Sequence, residues 1–422
     1  MRALRRLDAQ SLPETAALLA EGGDARIAIQ SGRNEYGCIP YPDPFLSQFG
    51  SSTASTISAS AFEAADTLRR RLHSAVSEFQ RIRNEFLSLC GISDIDGLGM
   101  HFCPSGTDAH RLANRLVDPE HTLMVSGSET GRGVAHALSG KAVHELKLRD
   151  EHGMPRCGRD IDEEAAMRVE SLVKRRGKVL VVLADVSKTG MIAPSLSFAH
   201  EMKERYPDSV EILVDACQFR LARENLRAYL EKGFMVAVTG SKFLTGPTFS
   251  GALLVPCSPV RPADLDENIG LLLRWEAALA ELRLFLAAPE AGVENFLARF
   301  SDSIRTRLEK DPAFEPIPVP ELKRMHRGWD SVQTIFPFLL KRKGRFLEFA
   351  EAKRIHALLV EDLSHVSKEG AFRCSFGQPV SCGALRICSS ARIAVEGIEN
   401  ESEVIARAHR ALDKAAWLVD LD

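Results

Sequence analysis

The chain has nine cysteines but no Cys-x-x-Cys pair, and twelve histidines but no His-x-x-x-His. Both spacings that commonly build a zinc site are therefore missing, and no metal centre is expected. An odd number of cysteines, scattered from Cys38 to Cys388, does not describe a disulfide framework either. Reduced thiols and a cytoplasmic location are the expectation. No apolar run is long enough to cross a bilayer. The opening MRALRRLDAQSLPE has basic residues with no apolar stretch behind them, so it does not read as a secretion signal. An excess of one charge is also lacking: 54 Lys and Arg against 57 Asp and Glu leave −3. That balance argues against bulk binding to nucleic acid or to an anionic membrane. What is present is a hydrophobic fraction of 45% and 422 residues, enough for one large α/β domain and a smaller lobe.

Apolar runs alternate with amphipathic segments through the middle of the chain. LGMHFC, HTLMV, VHELKL, KVLVVLA, VEILVDA, MVAVTG and GALLV read as strands, most of them followed by loops and helices. Such alternation predicts a mainly parallel or mixed sheet covered by helices on both faces, with ligands outside the carboxyl ends of the strands. Ser11-Leu12-Pro13-Glu14 reads as a capping box opening a short helix to about Gly22. Helical spacing runs from Ala61 to Leu89, with Cys90-Gly91 as the stop. A long helix is expected over ADLDENIGLLLRWEAALAELRLFLAA and another over Gly292–Leu308. Two amphipathic helices, Phe346–Leu363 and Glu401–Leu418, suit a smaller α+β lobe. The expected division is an N-terminal segment with an active-site loop (1–60), a large domain (61–310) and a small C-terminal domain (311–422).

The chemistry concentrates between Val214 and Val255. Asp215 ends the run VEILV, where an unpaired carboxylate would be costly to bury. Lys242 follows 27 residues later (242 − 215), enough for one crossover helix and one strand, so both should emerge at the same sheet edge. Read singly, Asp215 could cap the next helix and Lys242 could be a surface lysine in a glycine turn. Together they are what pyridoxal 5'-phosphate (PLP) requires: a carboxylate for the pyridinium nitrogen and a lysine for the Schiff base. Thr239 and Ser241 can donate to its phosphate. The turn Cys103-Pro-Ser-Gly-Thr-Asp-Ala109 joins a strand to a helix and forms a second anion cradle. GSETGRG at 127–133 lacks the GK[ST] ending of a P-loop, which excludes a nucleotide triphosphatase of that type.

These elements resemble the PLP-dependent fold type I enzymes, within them the class V aminotransferase and cysteine desulfurase superfamily. The resemblance spans roughly residues 100–260, in VDACQ, TGSKFLTGPTFSGALLV and ADVSKTGMIAP, and more faintly 370–400 in ALRICSS. It implies that Lys242 carries the cofactor and moves the α-proton, that Asp215 pairs with the ring nitrogen, and that Gln218 contacts the phenolic oxygen. Gly106, Thr107, Asp108, Thr239 and Ser241 would hold the phosphate. Arg386 would take the substrate α-carboxylate as a bidentate clamp. Thr248 is a candidate for reaching a partner's cofactor, since the family's sites form between two subunits, and a homodimer is the implied assembly. The loop GRNEYGCIPYPDP would close over the site, with Arg33 and Tyr36 reading the distal part of an amino-acid substrate.

Several positions depart from the pattern. The family's ring-stacking histidine falls at Ser128-Glu129-Thr130, which leaves Thr130 or another group over the ring. Its loop asparagine falls at Ser187, and the histidine before the lysine at Ser241. The desulfurase cysteine falls at Phe376, with Cys374 two residues early, which discounts sulfur transfer. The expectation is aminotransferase-type chemistry on an α-amino acid. A PLP-dependent lyase or β/γ-replacement enzyme stands as the alternative, and a non-catalytic protein of the same fold as another.

Overall fold

The computed structural model describes residues 9–138, 142–175, 177–257 and 268–421. After a short strand β1 (Ser47–Phe49), the seven apolar runs form β2 (Gly99–Cys103), β3 (His121–Val125), β4 (Ala142–Leu146), β5 (Val179–Ala184), β6 (Val210–Ala216), β7 (Met235–Thr239) and β8 (Gly251–Val255). These seven make one sheet in the order β2-β8-β7-β6-β5-β3-β4. β8 is antiparallel to both neighbours, and the other adjacent pairs are parallel. Val179, Val181 and Leu183 of β5 join one hydrophobic cluster, while Leu180 and Val182 join another. Both faces are thus covered, which is why these strands are continuously apolar.

The helices are α1 (Thr15–Leu19), α2 (Ala59–Arg70), α3 (Ala75–Leu89), α4 (Gly106–Val117), α5 (Arg132–Leu138), α6 (Gly158–Lys174), α7 (Leu196–Arg205), α8 (Arg223–Glu231), α9 (Ile269–Ala287), α10 (Glu290–Lys310), α11 (Phe349–Leu358) and α12 (Ala391–Leu421). α9 is buried on every side from Gly270 to Leu279 and packs against α2 and α3. Its Trp275 Nε1 donates to the Gly251 carbonyl (3.1 Å), which fixes the helix to β8. The remaining strands are β9 (Phe314–Pro316), β10 (Ile335–Arg342), β11 (Arg345–Phe346), β12 (Cys374–Phe376) and β13 (Leu385–Cys388). β10 pairs antiparallel with β9, β11 and β13, and β12 pairs parallel with β1. No helix among the described residues is long and apolar enough to cross a membrane.

Some local expectations give way. The pattern over Ala61–Leu89 is two helices, because Ser74 restarts the chain as an N-cap whose Oγ accepts from the Ser77 N–H (3.3 Å). The box at Ser11–Glu14 does not form: Pro13 keeps Leu12 out of the helical region, Glu14 becomes the N-cap, and α1 ends at Leu19. The helix expected over Glu401–Leu418 starts earlier, at Ala391, and kinks at Asn400 (φ −122°, ψ 40°). The helix expected over Phe346–Leu363 is shorter, at Phe349–Leu358, and the first residues of the one expected from Ala263 lie outside the described residues.

Candidate active site

Strand direction gathers the chemistry on one edge. β6 and β7 run parallel with Ala216 opposite Val238, so Asp215 and the Ser241-Lys242 turn emerge side by side. Cys103 of β2 and Thr239 of β7 both pair with Gly251, which brings the turn into α4 to the same place. A Cβ on Gly251 would lie 2.5 Å from the Ser105 carbonyl carbon, so only glycine lets the two turns meet. With Gly127 and Ser128 after β3 and Lys188 after β5, these turns line a cavity of about 630 Å³. It lies outside the carboxyl ends of the strands, where open α/β sheets bind ligands.

The cradle is built by the start of α4. Ser105 Oγ accepts from the Asp108 N–H (3.3 Å) and donates to Asp108 Oδ2 (2.7 Å). Asp108 Oδ1 accepts from Arg111 (2.8 Å). The Asp108 carboxylate is therefore spent on the helix cap and is not in the cavity wall, while Gly106 and Thr107 are. A Cβ on Gly106 would lie 2.8 Å from Cys217 Sγ and 3.2 Å from Thr239 Cγ2. Thr239 lines the cavity, but its hydroxyl donates to the Cys217 carbonyl (2.6 Å), so it offers a lone pair rather than a proton there. Ser241 is buried and lines the cavity beside Lys242.

Asp215 has company that its sequence position did not announce. His110, fully buried on α4, places Nε2 3.4 Å from Asp215 Oδ2. The Cys217 N–H donates to Asp215 Oδ1 (3.2 Å). Burial alone would raise the Asp215 carboxyl. The charge and proximity of His110 and the charge of Lys242 overcome that and hold it well below the usual carboxylate range. His110 moves the opposite way: burial favours the neutral ring, but Asp215 and the Gly106 carbonyl draw its pKa upward.

On the facing wall stands Arg386 of β13, 3% exposed. Its Nη2 donates to the Gln378 carbonyl (2.6 Å) and Thr53 Oγ1 (3.0 Å), and its Nη1 to the Lys188 carbonyl (3.3 Å). Nε has no partner, and among the described residues no carboxylate lies within ion-pair distance of this guanidinium. The 26–53 segment adds Arg26, Glu35, Tyr36, Ser52 and Thr53 to the cavity wall. Asn34 Nδ2 donates to Thr248 Oγ1 (3.0 Å), Tyr36 packs edge-on against Phe249, and Gln378 Nε2 donates to the Glu35 carbonyl (3.1 Å). Tyr36 lines both this cavity and an adjoining chamber of about 320 Å³. Arg33 lines only the chamber, where it approaches Glu361 (4.0 Å). Thr248 faces this protomer's own cavity.

Three expected contacts are placed behind the wall. Gln218 Nε2 donates to the Ser52 carbonyl (3.0 Å), and Ser52, not Gln218, lines the cavity. Ser187 Oγ donates to Glu129 Oε2 (2.7 Å), inside a buried network with Thr189 and Arg149. Thr130 is buried without a hydroxyl partner and is not in the wall; Ser128 and Gly131 are. Sequence reasoning missed His110, Ser52, Thr53 and Lys188. Only His110 carried a signal: it sits one turn into the helix that begins at the cradle, on the same face as Gly106.

The order of the sheet, the cavity at its carboxyl edge and the adjacent-strand Asp–Lys pair define a fold type I architecture, that of PLP-dependent enzymes. A NifS-like protein from Rickettsia africae is 12% identical, with a TM-score of 0.54 over 86% of this chain and 99% of that one. Mouse CSAD is 16% identical, with a TM-score of 0.54 over 87% and 84%. The cysteine desulfurase CsdA of Escherichia coli is 14% identical, with a TM-score of 0.51 over 87% and 94%. No protein-family model and no curated protein matches the chain.

Proposed function

We propose that the protein is a PLP-dependent enzyme acting on an α-amino acid, with aminotransferase-type chemistry. The observation that carries this reading is one cavity holding Lys242, Asp215, the α4 cradle and a buried Arg386 that has no ion-paired carboxylate among the described residues. Those residues fit the cofactor. Gly106 and Thr107 offer an anion cradle at a helix N-terminus, and Ser241 offers a hydroxyl beside it. Asp215, held ionised, suits a protonated ring nitrogen, and Ser52 and Ser128 add polar groups to the wall. Bound PLP supplies an electron sink that weakens the bonds to the amino acid's α-carbon.

The chain's own groups do the rest. Arg386 binds the substrate carboxylate through the donors that now lack an acidic partner, which orients the α-carbon toward Lys242. Lys242 Nζ takes the α-proton and returns it. Tyr36 and the 26–53 segment close the mouth and exclude water. Arg33 and Tyr36 read the substrate's distal end in the adjoining chamber. A homodimer is proposed for the assembly, with the division at 1–60, 61–310 and 311–422. Transfer is favoured over sulfur removal by the thiols. Cys374 is buried in β12 with its pKa pushed up to about 12 by burial, and burial also raises Cys217 in the cavity wall. Cys382 is exposed and follows the wall residue Ser381, so Cys382→Ala is the control for sulfur chemistry.

The test is reconstitution with PLP. A visible absorption band should form, and borohydride should fix the cofactor's mass on Lys242. Lys242→Ala should abolish both. A protein that neither colours nor gains mass ends this reading. Product analysis across amino acids then separates transfer from elimination or replacement.

A further inference from the structure

His110 presents a proton question that its geometry answers. Nδ1 lies 2.7 Å from the Gly106 carbonyl oxygen, which can only accept, so Nδ1 carries a hydrogen. Nε2 faces Asp215 Oδ2 at 3.4 Å and has no well-aligned hydrogen-bond partner. In a neutral ring, Nε2 would then be a lone pair pointed at a carboxylate, two acceptors face to face at a nitrogen closed off from solvent. One further proton removes that conflict.

The groups around the ring are few. Asp215 and Cys217 come from the end of β6, with reactive atoms within 4.8 Å of the histidine nitrogen, and Lys242 comes from the turn after β7. Lys242 opposes a second positive charge. Cys217 is an uncharged thiol because burial raises its pKa. Asp215 is the nearest charge and the only one of the three that favours an imidazolium.

We propose that His110 is a positioning residue. It is doubly protonated, held by the Gly106 carbonyl at one nitrogen and sharing the proton of the other with Asp215. It thereby keeps Asp215 an oriented carboxylate facing the cavity. Because the same imidazole grips Gly106, the cradle and the carboxylate are set by one rigid ring. The role rests on the PLP reading for its use, since the group that Asp215 would meet is a pyridine nitrogen. It does not rest on that reading for its existence.

Nitrogen NMR of histidine-labelled, cofactor-free protein tests the pair. The His110 signals, assigned by their loss in His110→Gln, should show both ring nitrogens protonated at neutral pH. In Asp215→Asn they should revert to a neutral ring with hydrogen on Nδ1 alone. A neutral His110 in the wild-type protein overturns the proposal. A second arm reads the consequence through ligands without the aldehyde. His110→Gln keeps a donor but no charge, and should weaken pyridoxine 5'-phosphate by about tenfold or more. It should leave the analogue lacking the ring nitrogen unaffected. Equal weakening of both ligands assigns His110 to the cradle alone and refutes the coupling to Asp215. If wild-type protein binds neither ligand, the PLP reading fails, while the NMR result still decides the pair.

Discussion

Replacing Arg386 by methionine sets two effects against each other. The guanidinium is buried, and burial lowers its pKa although the charge of Glu129 opposes this, so folding bears the cost of a cation with no carboxylate in direct contact. Methionine removes that cost. It also strands the Gln378 and Lys188 carbonyls, each worth about 1–3 kcal/mol when left without a partner, while the Thr53 oxygen keeps the Gln378 N–H. The two contributions oppose one another, and the melting temperature should move by less than about 5 °C. Substrate binding has no such compensation. Two charge-assisted hydrogen bonds at about 1.5–3 kcal/mol each sum to roughly 3–6 kcal/mol. The expected loss in kcat/KM is therefore about 10²–10⁴-fold. Steady-state turnover of wild type and Arg386→Met checks this, with the corresponding amine, which lacks the α-carboxylate, as reference. The amine should not distinguish the two proteins. A loss below about tenfold, or an equal loss for the amine, refutes the clamp.

Gly106→Ala should destabilise the cofactor-free fold by about 1–3 kcal/mol, because its Cβ would lie 2.8 Å from Cys217 Sγ. Denaturant unfolding measures the loss, and Cys217→Ala in the same chain should restore part of it. Glu129→Gln leaves Arg149 facing a neutral partner in a buried site, at a cost of up to about 3–5 kcal/mol, read as a lower unfolding midpoint. Linkage fixes the pH response of the Asp215–His110 pair. His110, with a raised folded pKa, stabilises fully below about 6.5 and loses this as pH rises through the folded value. Asp215, with a depressed one, stabilises above about 3.9 and loses this as pH falls through its folded value. Thermal melts of the cofactor-free protein should therefore show an alkaline decline that His110→Gln lacks.

The features legible in the chain alone are local in origin. The seven sheet strands were legible because apolar runs of that length, bounded by Gly and polar turns, have few other uses. Asp215 and Lys242 were legible because each ends such a run, and parallel strands with crossover helices must release them at one edge. Tertiary structure decided everything that depends on which turns become neighbours. Gly251 places β8 between β2 and β7, and so brings the α4 cradle against the Lys242 turn. Ser52 stands where Gln218 was expected, because the chain after β1 crosses in front of it. Glu129 took Ser187 into a buried ion network and away from the cavity. The helical register places His110 on the face of Gly106, but nothing in its own neighbourhood names a carboxylate from a strand far along the chain. Its meeting with Asp215 follows only once α4 packs on the sheet. The acceptor–acceptor conflict at Nε2 is a property of that packing.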